Sequence, residues 1–108
     1  MGIAINSRRL LILGEIKIDV TDRNIRICDQ RVELTSKEYD LFLFLARHRD
    51  SVVSRNAIME CITKDPSAAF DNFEIAYAHI KNLKRKLKDA GQKEYIKTVY
   101  GRGYVFQL

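Results

Sequence analysis

The apolar residues of this chain change their period twice, and no single secondary structure can satisfy both spacings. From Leu10 to Leu34 they alternate: Lys17 and Asp19 separate Ile16, Ile18 and Val20, while Ile25 and Ile27 flank Arg26. A period of two, interrupted by "TDRN" and "CDQ", predicts a small antiparallel sheet with one buried face. From "LTSKEYDLFLFLARH" onward the spacing becomes three and four, and in "EYIKTVYGRGYVFQL" the chain returns to strands around a pair of glycines. A sheet, three helices and a terminal hairpin therefore follow one another, which is an α+β arrangement.

The helix limits are written in local chemistry. Thr35 and Glu38 match a capping box, and Leu34 with Tyr39 is placed to staple the helix entry, so a first helix is predicted from about Ser36 to His48, with Phe42, Leu45 and Ala46 inward. Ser54 caps a second, with Val53 and Ile58 as its staple and Ile58, Cys61 and Ile62 on its buried side. "KDPSAAF" then breaks the pattern, because proline disfavours helix at the residue before it. A third helix is predicted from about Asn72 to Ala90, with Asp71 as cap and Gly91 as terminator. Phe73, Ala76, Ile80, Leu83 and Leu87 form its buried stripe, which turns Glu74, Ile75, Ala78, Asn82, Arg85 and Asp89 outward, with Lys81 and Lys86 on the flanks.

Two readings of that outward arc stand side by side. Cations near a helix carboxyl end complement the macrodipole and are often simply solvated. They also suit a polyanion, and the chain's net charge of +5 is gathered late: 8 basic against 4 acidic residues follow residue 70, compared with 11 against 10 before it. Exposed Ile75 and Ala78 beside Asn82 fit base edges in a major groove, where a thymine methyl meets an apolar side chain and adenine takes asparagine bidentately. Gly101 and Gly103, on either side of Arg102, predict a hairpin with a cation at its tip.

Other chemistries find little footing. His48 and His79 fall on different helices without ligand-spaced partners, and "GRG" opens no helix after a strand, so no catalytic residue, metal or cofactor is expected. Cys28 and Cys61 lie outside any C-x-x-C spacing and read as reduced core thiols, with no disulfide required. "MGIAINSRRLLILGEIKI" has no leader pattern or membrane span, and Asn6 stands where myristoylation wants serine or threonine, so a cytoplasmic protein is expected. One domain over residues 10–108 is predicted, with Met1 to Arg9 a linker or disordered start.

The stretches "LTSKEYDLFLFLARHRDSVVSRNAIMECI", "AHIKNLKRKLK" and "YIKTVYGRGYVF" together resemble the DNA-binding effector domain of OmpR/PhoB-type response regulators, a winged helix-turn-helix, in order and spacing from about Leu10 to Phe106. The resemblance implies a four-stranded antiparallel sheet, three helices with the third in the major groove, and a C-terminal β-hairpin wing. It implies base readout by Glu74, Ile75, Ala78 and Asn82, and backbone contacts from Lys81, Lys84 and Thr98, to which the basic run adds Arg85 and Lys86. Arg102 would enter the minor groove, where a narrow groove concentrates negative potential. The implied partners are duplex DNA with repeated half-sites, a second copy of the chain, and RNA polymerase through the 64–71 loop; no receiver domain or membrane segment is found in this sequence. Many family members carry arginine at Glu74, aspartate at Tyr77, arginine at Asn82 and tryptophan at Thr63, so the operator is this chain's own. The rival reading is a winged-helix module used for protein or RNA contact.

Overall fold

The computed structural model describes residues 10–63 and 73–108. Strands β1 (Leu10–Leu13), β2 (Ile16–Asp19), β3 (Asn24–Ile27) and β4 (Gln30–Val32) form an antiparallel sheet in that spatial order. Ile16 pairs with Ile27, Ile18 with Ile25, and Ile25 with Val32, and all five are buried. The predicted alternation thus becomes one apolar face against the helices. The opposite face sets Lys17, Arg26 and Arg31 side by side, with Asp29 and Glu33 beside them.

The β3–β4 reversal corrects one expectation. Cys28 and Asp29 occupy it at φ 52 and 66, the left-handed pair of a two-residue hairpin turn. A side chain on such a turn points into water, so Cys28 is exposed and not a core thiol. Cys61 is half-buried, its Sγ donating to the Asp40 carbonyl at 3.6 Å.

Helices α1 (Ser36–Arg47), α2 (Arg55–Thr63) and α3 (Phe73–Gly91) follow, and α1 packs against both others. The capping box is formed: Thr35 Oγ1 accepts from the Glu38 amide at 3.2 Å, and Glu38 Oε1 accepts from the Thr35 amide at 3.0 Å. His48 caps the end of α1, one residue earlier than predicted. Ser54 Oγ accepts from the Ala57 amide at 3.1 Å, closing the first turn of α2. The segment "KDPSAAF", the 64–71 loop, the proposed cap Asp71 and Met1 to Arg9 lie outside the described residues.

At its far end α3 departs from the prediction. The helix continues through Gly91, and the left-handed residue is Gln92, at φ 58, whose amide donates to the Lys88 carbonyl at 2.7 Å. Gly91 answers a different demand, because a Cβ there would collide with the Tyr95 ring.

The chain closes as β6 (Ile96–Val99) and β7 (Gly103–Phe106), with the two-residue strand β5 (Val52–Val53) paired to the other side of β7. This third strand was not predicted, and it explains Gly103. At φ 144 its backbone lies where a Cβ would strike the Val53 carbonyl, so the glycine serves strand packing and not tip flexibility. Phe106 then anchors the hairpin, edge-on to Phe42 at 5.8 Å between centroids and stacked on Tyr95 at 6.1 Å.

Candidate nucleic-acid interface

Four of the five residues predicted for the buried stripe of α3 are buried, Ala76, Ile80, Leu83 and Leu87 being at most 1% exposed, while Phe73 at the start of the helix is half-buried. The outward arc follows by geometry. Glu74, Ile75, Ala78, Lys81, Asn82 and Arg85 are all exposed, Ile75 at 56%. Lys84 is half-buried, with its position on the hairpin side of the helix.

Lys86 does something else. Its Nζ donates to Glu38 Oε1 at 2.6 Å, in a contact where the carboxylate side chain is 3% exposed. Burial, the largest single influence on Glu38, pushes its carboxyl up. The Lys86 ammonium and the Thr35 amide together outweigh it and hold the group below the usual carboxylate range. Glu38 therefore caps α1 and ties it to α3, and the Lys86 ammonium is engaged by this pair.

Between α3 and the hairpin runs a groove of about 420 Å³, lined by Tyr77, Lys81, Lys84, Arg85, Thr98 and Tyr104 among others. Four cations, Lys81, Lys84, Arg85 and Lys88, stand on its helical wall and the Thr98 hydroxyl on its strand wall, with the carboxylates of Asp89 and Glu94 at the end near the helix terminus. The excess of cations on the helical wall suits a polyanion.

The hairpin tip differs from expectation by two positions. The Arg102 amide donates to the Val99 carbonyl at 2.9 Å, and Gly101 sits at φ 73, so the turn has Tyr100 and Gly101 at its apex. Arg102 is exposed and closes the turn just before β7, while Tyr100 is 97% exposed. Beneath them is a second recess of about 350 Å³, which adds Arg55 to Thr98, Tyr100 and Arg102.

Sequence reasoning missed Arg55. It lies in the first turn of α2, and its guanidinium sits 5.1 Å from the centre of the Phe73 ring, joining the starts of α2 and α3. Its local pattern, a cation after a helix cap, carries no sign of the hairpin more than forty residues away.

Among the described residues no three His, Cys, Asp or Glu side chains gather as a metal site, and no helix is long and apolar enough to cross a membrane. The family model described as "Transcriptional regulatory protein, C terminal" matches residues 29–106. Transcriptional regulatory protein PrrA of Mycobacterium tuberculosis is 31% identical over 105 residues, covering 97% of this chain and 44% of PrrA. The DNA-binding domain of Klebsiella pneumoniae RstA, solved in complex with the RstA box, has a TM-score of 0.75 at 26% identity, covering 91% of this chain and 96% of that one. Response regulator DrrB of Thermotoga maritima, an OmpR/PhoB homologue, gives a TM-score of 0.75 at 31% identity, covering 92% of this chain and 44% of DrrB. The chain thus spans less than half the length of the curated relatives it matches. An N-terminal sheet, a helix-turn-helix with one exposed helical face, a hairpin beside it and these likenesses agree: the chain belongs to the C-terminal domain family of transcriptional regulatory proteins and is similar to the DNA-binding domains of OmpR/PhoB-type regulators.

Proposed function

We propose that this domain binds double-stranded DNA sequence-specifically as the output module of a two-component transcriptional regulator in the cytoplasm. In this reading α3 lies in the major groove and the hairpin rests at the adjoining minor groove. The observation that carries it is the pairing of an exposed, partly apolar helical arc with a cation-lined groove that separates it from the hairpin. The RstA domain, solved on its DNA box, supports the same use of a similar fold.

Within this reading the work divides between two sets of residues. Ile75, Ala78 and Asn82 discriminate among bases, and Glu74 suits the amino group of cytosine. Lys81, Lys84, Arg85 and Thr98 hold phosphates, and that attraction weakens steeply with salt. Arg102 gains from the focused potential of an A·T-rich minor groove. A domain of this size offers few base contacts, so two copies on repeated half-sites supply the specificity of a genomic operator.

Selection of bound sequences from a random duplex pool tests the proposal, with tRNA and unrelated duplex as competitors. A recovered repeat is the expected result; equal competition by tRNA would overturn it. On the recovered site Asn82→Ala should cost about 1–3 kcal/mol at one base pair and relax preference there. Uniform weakening on all sequences would instead make Asn82 a phosphate contact.

A further inference from the structure

Of the tyrosines that shape the hairpin end of the molecule, one stands apart. Tyr95 and Tyr104 are 1% and 5% exposed and belong to the core, whereas Tyr100 is 97% exposed at the apex of the turn. An aromatic ring left in water forgoes the burial that makes such residues valuable inside a protein. A lone exposed ring needs no explanation by itself. This one is held out on a preset frame.

The frame is specific. The Arg102 amide closes the turn on the Val99 carbonyl, β6 and β7 pair in register from Ile96–Phe106 to Val99–Gly103, and Gly103 lets β5 press against the base of the finger. Only the two side-chain torsions of Tyr100 remain to be ordered on contact, so the entropic cost of using the ring is small. Arg55, Thr98 and Arg102 line the recess beside it, and Thr98 and Tyr104 belong also to the groove against α3. The apex thus projects next to the groove assigned above to a DNA strand, with Arg55 and Arg102 lining the same recess.

We propose that Tyr100 is a specificity-determining wedge: its ring enters the minor groove beside Arg102 and partly unstacks a base step, while Arg55 holds a flanking phosphate. This rests on the DNA-binding reading above. A minor groove about 6 Å wide admits an aromatic ring edge-on, and a side chain inserted at a step unstacks it and bends the duplex toward the major groove. Pyrimidine–purine steps yield most easily, so the wedge selects TA or CA/TG beneath the hairpin, at a position where α3 makes no contact. The hairpin then reads deformability, complementing the direct readout by α3.

Permanganate oxidation, which attacks unstacked thymines, provides the test on a duplex recovered by selection with the wild-type chain. Wild-type protein should create a reactive thymine in each half-site, outside the α3 footprint. Tyr100→Phe should keep that signal. Tyr100→Ala should abolish it and lower affinity about tenfold. Arg102→Ala should weaken binding and flatten its salt dependence while leaving the reactive thymine in place. Since Tyr100 is in open solvent, folding of its variants is not at issue. Duplex binding with no reactive thymine, or with Tyr100→Ala equal to wild type, overturns the wedge alone. No preference for duplex over tRNA overturns the DNA-binding reading, and the wedge with it.

Discussion

Replacing Lys86 by methionine separates the role that the sequence suggested from the one the structure assigns. Methionine keeps most of the apolar stem and removes the ammonium that Glu38 Oε1 meets at 2.6 Å. Glu38, 3% exposed at its side chain, then keeps the Thr35 amide and the nearby His79 as its stabilising neighbours. Breaking a buried pair from one side costs about 3–5 kcal/mol. Lys86 is 26% exposed and the Thr35 bond survives, so about 2 kcal/mol is the better figure here. For a domain of this size that lowers Tm by about 10 °C.

The pH dependence carries a second, sharper signature. In the wild type the folded Glu38 carboxyl lies below its unfolded value, so its contribution is full above an unfolded pKa of about 4.3 and is lost as pH falls through the folded value. Without Lys86 the burial penalty is opposed only by the Thr35 amide and the nearby His79, so the folded value moves upward and the variant has less stability to lose in acid. Urea unfolding across a pH series should therefore show the gap between the two proteins narrowing from neutral pH to about pH 4. A gap below about 0.5 kcal/mol, or one that stays constant, would refute the buried-pair account. Binding adds an independent check: Lys86→Met should leave the salt slope unchanged, whereas Lys84→Ala should reduce it by about one.

Three further outcomes are expected. Gly103→Ala forces a Cβ into the Val53 carbonyl at φ 144 and should cost about 3 kcal/mol in urea melts, more than Gly101→Ala, which at φ 73 meets open space and should cost about 1 kcal/mol. Tyr95→Phe removes the hydroxyl that donates to Glu15 Oε2 at 2.6 Å; that bond is the main reason the Glu15 carboxyl is lowered to about 2, with Lys93 second. Because a lowered carboxyl stabilises above its unfolded pKa and loses that contribution in acid, Tyr95→Phe should shift the Glu15 titration upward by NMR and flatten the acid loss of stability.

What the sequence alone determined is the set of features whose partners are close along the chain. Thr35 and Glu38 are three residues apart, as are Ser54 and Ala57, so their hydrogen bonds follow from the helix they begin. The faces of β2, β3 and α3 follow from period, because backbone geometry alone decides which side chains point together. The outward positions of Ile75, Ala78 and Asn82 were legible for that reason, and so was the hairpin itself.

Tertiary structure decided whatever depends on a distant neighbour. Gly91 reads locally as a helix terminator, but the Tyr95 ring is what excludes a side chain there. Gly103 reads as a tip residue until β5 arrives from fifty residues away in sequence. Arg55 joins the hairpin recess, Lys86 pairs with Glu38, and Tyr100 takes the apex from Arg102, each through the packing of separate elements. Periodicity states the direction in which a side chain leaves its own helix or strand; it carries no information about which charge or backbone the fold will bring to meet it, and that meeting is what separates a residue free to bind from one already engaged.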